Sequence, residues 1–185
     1  MLEKDELKKY FHDTLNWGYG YEQEIVFDFL LNAHLDSKNG VVLDAGAGSQ
    51  RYKYFFEDSL YIAQEHPIAG AQNHKIKVYD ILSDVKFIPL KDNSVDVVLS
   101  TSTLEHMEFP DLFFNEAYRV LKPGGKLYVN VPFVYHEHEA PYDFQRPTQW
   151  GLLKLYKTAG FENIQINPTS SSIYTSQYWL IESIK

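Results

Sequence analysis

Three groups of residues in this chain have the types and spacing that chemistry requires. The first is Asp44-Ala45-Gly46-Ala47-Gly48, directly after the apolar run Val41-Val42-Leu43. Residues without Cβ accept positive φ and let a ligand lie against bare backbone, so this reads as a strand followed by a ligand-cradling turn. A carboxylate two residues before the first glycine suits a ligand carrying a cation better than one carrying a pyrophosphate. A dinucleotide turn of the G-x-G-x-x-G type would need glycine where Arg51 stands, and Arg51 would crowd the helix–sheet approach. The second group is the acid Glu65, at the end of the apolar run Leu60-Tyr61-Ile62-Ala63. The third is His106 together with His136, His138 and Asp143. Imidazole and carboxylate suit several divalent ions, yet three ligands on one loop with no partner elsewhere make a poor cage, and no metal site is expected. The loop instead reads as a lid over a reacting partner, with a histidine or Asp143 able to accept a proton.

The elements that must position these groups follow in order. Ile25, Val26, Phe29, Leu30 and Ala33 recur at helical spacing, and the helix should end near Asn39-Gly40. Strands are expected at Val41–Leu43, Leu60–Ala63, Ile76–Tyr79, Val95–Leu99 and Lys126–Val131. Pro110 and Asp111 open a helix with Leu112, Phe113, Ala117, Val120 and Leu121 on its face, stopping at Pro123-Gly124-Gly125. Thr148 is placed to N-cap a helix with Leu152, Leu153, Leu155, Tyr156 and Ala159 inward and Gly160 as terminator. Phe161 to Ile166 reads as a sixth, edge strand. Strands alternating with helices imply an α/β fold: a Rossmann-like, doubly wound, mostly parallel sheet with helices on both faces and ligands beyond the strands' carboxyl ends. That rule narrows the search to residues 44–49, 65, 80–85, 100–106 and 132–147. One domain over 1–185 is expected, with a helical segment to 39, a core over 40–166 and a tail over 167–185.

Composition removes several function classes. The formal charge of −8 argues against a broad electrostatic footprint for nucleic acid. With no cysteine there are no disulfides, thiolate metal sites or cysteine nucleophiles. No apolar run reaches the roughly 18 residues needed to span a bilayer. The charged start Glu3-Lys4-Asp5-Glu6 lacks a secretory apolar segment, which makes the cytoplasm the expected location.

Taken in order, the strand ends from about Gly40 to Ile166 resemble the class I S-adenosylmethionine-dependent methyltransferases. Leu43-Asp44-Ala45-Gly46-Ala47-Gly48 is similar to that family's first motif. Glu65, nineteen residues beyond Gly46, stands where the family places an acid on the ribose hydroxyls; one carboxylate can accept both bonds of a cis-diol. Ser83 to Asp96 resembles the third segment, which implies that Asp84 and the backbone of Val85 read adenine, with Asp80 as the second candidate. Ser100 and Thr101, at the end of the fourth strand, join the implied cofactor set. Thr103-Leu104-Glu105-His106 and Arg119-Val120-Leu121-Lys122-Pro123-Gly124-Gly125 look like sentences of the methyltransferase type 11 subgroup. The stretch His138 to Thr148 is similar to a loop in relatives from bacterial surface-polysaccharide gene clusters. The resemblance therefore implies S-adenosyl-L-methionine as cofactor and a small-molecule or sugar-linked acceptor, with His106, His138 or Asp143 as proton acceptor.

Two departures stand out. Ser49-Gln50 replaces the family's usual third glycine. After Ile166 the tail from Ile173 to Lys185 reads equally as the family's seventh strand or as a helix. A missing strand would leave a sheet edge to be covered, for instance by a second copy of the chain in a homodimer. These departures keep open a catalytically silent domain that retains the fold for binding or partnership.

Overall fold

The computed structural model describes residues 3–15, 21–68, 78–169 and 178–185. Helix α1 (Lys4–Lys9) continues into a π-helical turn, Tyr10–Thr14, and is followed by α2 (Tyr21–Ser37). Strands β1 (Val41–Ala45), β2 (Leu60–Glu65), β3 (Ile81–Leu82) and β4 (Val95–Thr101) come next. After them lie α3 (Pro110–Val120), β5 (Leu121–Pro132), α4 (Gln149–Ala159), β6 (Glu162–Pro168) and β7 (Tyr178–Ile184). The sheet order is β3-β2-β1-β4-β5-β7-β6, with only β7 antiparallel to its neighbours. Chain direction away from β1 reverses between β1 and β4, the switch point beyond which open α/β sheets bind ligands.

Valine- and leucine-rich strands are buried on both faces because helices cover both, and alternate residues enter separate cores. Leu43, Val98, Leu127 and Val129 pack with Phe113, Phe114, Leu152 and Tyr156 from α3 and α4. Val42, Val97, Leu99 and Tyr128 pack with Phe11, Phe27, Leu30, Phe55 and Phe56 on the other side. Each fully buried phenylalanine contributes roughly 1.5–3 kcal/mol of transfer free energy. The α4 caps are those expected: the Thr148 hydroxyl accepts from the Gly151 N–H, and Gly160 ends the helix at φ 102°.

Three expectations need correction. The proposed third strand at 76–79 falls partly on residues 76–77, outside the described residues; the strand that pairs with β2 is the two-residue Ile81–Leu82, through Gln64↔Ile81 and Glu65↔Leu82. Helix α3 ends at Val120, not at Pro123; Leu121 is fully buried as the first residue of β5, paired with Val95. Leu112 is 38% exposed, and Phe114 takes its place in the core. The tail resolves to strand: β7 inserts between β5 and β6 through Val129↔Ile181 and Ile166↔Ile181, so the sheet has its seventh strand and β6 is the edge.

Candidate active site

The turn after β1 is built for close approach. Gly46 has φ 77° and Gly48 φ 52°. A Cβ on Gly46 would lie 2.3 Å from Thr103 Cγ2, so this position tolerates no side chain. The Gly46 N–H donates to the Gln64 carbonyl at 3.0 Å and to its side-chain Oε1 at 3.1 Å. Thr103 Oγ1 donates to the Thr101 carbonyl at 3.1 Å, which seats its side chain against the turn. Where the third glycine is missing, Gln50 adopts φ 53° and donates from Nε2 to the Val78 carbonyl at 2.7 Å.

Asp44 lies behind this turn, 1% exposed, and is not part of the cavity wall. The Tyr61 hydroxyl donates to its Oδ2, while Oδ1 is buried without a hydrogen-bond partner among the described residues. Burial pushes the Asp44 carboxyl up to about 7; the Tyr61 bond opposes this and the Glu65 charge adds to it. Its influence on a ligand is therefore through charge and through the turn, not through contact.

A cavity of about 720 Å³ opens over the switch point. That falls within the roughly 300–1,000 Å³ typical of small-molecule sites. Its wall carries Gly46, Ala47 and Gly48 from the turn, Glu65 from the end of β2, Asp84 and Val85, and Thr101 from the end of β4. Glu65 Oε2 accepts the Gly48 N–H at 2.7 Å and Oε1 accepts the His66 N–H at 2.8 Å, which orients the carboxylate toward the turn. Asp84 Oδ1 accepts the Lys86 N–H at 3.1 Å. Asp80 has a different job: its Oδ2 accepts the Ala63 N–H at 2.8 Å, and it is absent from the wall. Ala45 and Ser100 are also absent from the wall, both fully buried. Five carboxylates (Glu65, Asp84, Glu105, Glu108, Glu139) face two cations (Arg51, Lys86) around the cavity, an excess that favours a positively charged ligand.

At the other end stands a group assembled from two distant segments. The 3₁₀ turn Leu104–His106 follows β4, and the loop after β5 folds across it. Gln145 Nε2 donates to the Leu104 and Met107 carbonyls at 3.0 and 2.9 Å, and the Phe144 N–H donates to the Glu105 carbonyl at 2.9 Å. This docking puts the His106 and His138 rings 4.8 Å apart, centroid to centroid. Asp143 is tied up in an ion pair: Arg146 donates to its two oxygens at 2.6 and 2.8 Å, and this pairing holds the carboxyl well below the usual range. It positions His138, whose N–H it accepts at 2.9 Å. His136 is exposed, and its carbonyl rather than its ring accepts from Arg146.

Glu105 is the residue that sequence reasoning passed over. It is 1% exposed, lines the cavity, and has one carboxylate oxygen buried without a partner among the described residues. Burial pushes its carboxyl up to about 7, with Asp143 and Glu139 adding and Arg146 opposing. Asp96, at the far end of β4, has a structural part: Oδ2 accepts the Val41 N–H at 2.8 Å and both oxygens accept from Lys122.

Residues 43–129 match a family model described as a methyltransferase domain. Uncharacterized protein MJ0638 of Methanocaldococcus jannaschii is 29% identical over 132 residues, 70% of this chain and 56% of that one. The ubiquinone/menaquinone biosynthesis C-methyltransferase UbiE of Ruegeria sp. is 33% identical over 106 residues, 57% of this chain and 38% of that one. The chain thus spans 56% and 38% of the length of these two curated relatives. Among solved structures, the 1,6-didemethyltoxoflavin-N1-methyltransferase of Burkholderia thailandensis, with 1,6-didemethyltoxoflavin and S-adenosylhomocysteine bound, aligns at TM-score 0.64 and 17% identity. That alignment covers 98% of this chain and 86% of the other, a likeness of fold. With its glycine turn at the switch point and this seven-stranded sheet order, the chain has the class I methyltransferase fold, and residues 43–129 carry the match to a methyltransferase domain.

Proposed function

We propose that the protein transfers a methyl group from S-adenosyl-L-methionine to a hydroxyl or amine of a small-molecule or sugar-linked acceptor. One observation carries this reading: a single acidic cavity runs from the Gly46–Gly48 turn past Glu65 and Asp84 to His106 and His138. The residues fit the cofactor. Gly46 and Gly48 take positive φ on the cavity wall, and Glu65 is held at the turn with its carboxylate oriented by two backbone N–H groups. Gly46, Ala47 and Gly48 would hold the methionine portion, Glu65 the ribose hydroxyls, and Asp84 with the Val85 backbone the adenine, while Thr101 lines the wall beside them. When bound, the cofactor supplies an activated methyl group and its own leaving group.

The chain's task is then alignment, exclusion of water and handling of the acceptor proton. The docked loop narrows the acceptor end and presents His106 and His138 to it. The His106 Nδ1 is 2.7 Å from the Tyr142 carbonyl and donates to it, which leaves Nε2 as the lone-pair atom. No helix among the described residues is long and apolar enough to cross a membrane.

Calorimetry with S-adenosylhomocysteine and transfer of a labelled methyl to a panel of sugars, phenols and amines test the proposal. Glu65→Gln should weaken binding at least about tenfold, since the amide can accept only one of the two hydroxyls it would meet. No binding by the wild type would sink the assignment. Binding without transfer to any acceptor would instead favour a silent binding domain.

A further inference from the structure

We propose that Glu105, His106 and His138 form a binding site for a divalent transition-metal ion at the acceptor end of the cavity. One ligand atom from each lies within 4.8 Å of the others. Bonds of about 2.0–2.2 Å at tetrahedral angles set ligand atoms about 3.3–3.6 Å apart, so closure by about 1–1.5 Å completes the cage. Such movement is within the reach of side-chain torsions alone.

Both imidazoles are prepared as ligands. A metal-binding histidine usually donates its second ring N–H to an oxygen, which fixes the tautomer and raises the basicity of the free nitrogen. His106 Nδ1 has the Tyr142 carbonyl at 2.7 Å. His138 Nδ1 has the His136 carbonyl at 3.2 Å and Asp143 Oδ2 at 3.3 Å. Arg146 Nη2 also lies 3.3 Å from this nitrogen, but the guanidinium is directed at Asp143 through shorter bonds of 2.6 and 2.8 Å. The His106 Nε2 is 4.0 Å from Glu105 Oε1 and 3.9 Å from Glu139 Oε2, too far for a hydrogen bond to either.

The independent sign of an occupant is Glu105. Its side chain is 1% exposed yet lines the cavity, and its Oε2 has no partner among the described residues. A charged carboxylate buried this deeply is costly, and a cation held through Oε1, which lies 4.0 Å from the His106 Nε2, offsets that charge. Two nitrogens and one carboxylate with open positions suit zinc, iron, manganese or cobalt rather than magnesium or calcium. The inference rests on the proposed transferase reading for its meaning. There the ion would bind the acceptor oxygen or nitrogen and lower its pKa, with the histidines as ligands instead of bases.

The test uses the chelator-treated full chain titrated with Co²⁺, followed by calorimetry and by the visible absorption of protein-bound cobalt. One ion per chain is expected, displaced by Zn²⁺. Glu105→Gln and His138→Gln should each weaken it at least about tenfold, and Asp143→Asn by about tenfold through His138. S-adenosylhomocysteine affinity is measured on every sample as a check of folding and should stay within about twofold. Absent stoichiometric binding, or binding that all three variants leave intact, overturns the site. Cobalt binding without S-adenosylhomocysteine binding refutes the transferase reading but keeps the metal site, and the reverse result refutes the metal site alone.

Discussion

Replacing Asp44 with asparagine should make the ligand-free protein more stable above neutral pH and less stable in acid. In the folded chain burial raises the Asp44 carboxyl from 3.8 to about 7. The unfolded carboxyl titrates near its ordinary value, so between about pH 4 and 7 folding must take up a proton. Stability from this group therefore falls as pH rises, and it levels off once both states are ionised. Three units at about 1.4 kcal/mol each give a cost on the order of 4 kcal/mol above pH 7. Asparagine escapes this cost. Its Oδ1 can still accept from Tyr61, but its amide nitrogen would replace the unpartnered Asp44 Oδ1, and a buried unsatisfied donor costs about 1–3 kcal/mol at every pH. The two stability curves should cross near pH 5, with the variant ahead by about 1–3 kcal/mol at pH 8. Urea denaturation of both proteins across this range measures the difference, in which all other titrating groups cancel. A difference that stays flat with pH would refute the argument. The same reasoning reaches the cofactor: a cationic ligand at the turn favours ionised Asp44, so binding of S-adenosylmethionine near pH 6 should release a proton. Calorimetry in two buffers of different ionisation heat would detect it.

Three further outcomes follow from the same geometry. Gly46→Ala meets Thr103 at 2.3 Å and forces φ 77° on a residue with a Cβ, so it should cost about 1–3 kcal/mol in a urea melt and abolish calorimetric binding of S-adenosylhomocysteine. Asp96→Ala leaves the Val41 N–H and the Lys122 ammonium without their acceptor, and should lower stability by about 1–3 kcal/mol while leaving that affinity unchanged, because it sits at the opposite end of β4. Gln145→Ala removes both bonds that hold the loop on Leu104 and Met107; hydrogen exchange by mass spectrometry should rise in the 104–107 and 133–147 segments and nowhere in β1 or β4.

The strands legible in the chain are those whose order comes from local pattern. Val41–Ala45, Val95–Thr101 and the second half of β5 are apolar runs that sit in the sheet interior and are covered on both faces, which leaves no competing reading. Strand β3 has only two residues, one of them exposed, and too few positions to show any period. Strand β7 is obscured by Glu182 and Ser183, two polar residues in a short apolar stretch. In the fold Glu182 accepts from Lys126 Nζ at 2.9 Å, and Ser183 is fully buried opposite Leu127. Both facts depend on a register between segments 56 residues apart, which no local window contains. The end of α3 is hidden for a related reason: Leu121 fits the helical stripe, but its pairing with Val95 draws it into the sheet.

The two ends of the cavity divide along the same physical line. At the turn, Gly46, Gly48 and Glu65 are each required by their own strand end, so residue type and spacing reveal them without tertiary information. At the acceptor end nothing local marks Glu105, since a glutamate between Leu104 and His106 reads as a solvated charge. It becomes a buried, unpartnered carboxylate because a loop about 40 residues later docks on its turn through Phe144 and Gln145. That docking also delivers His138 to His106, and directs Arg146 onto Asp143, so that the one carboxylate the sequence nominated as a proton acceptor becomes a positioning group. The chemistry of the acceptor end is thus a product of tertiary contact, and loops can vary it while the sheet and the glycine turn stay the same. A family pattern written on strand ends consequently identifies the cofactor half of such a cavity and is silent on the half that chooses the acceptor.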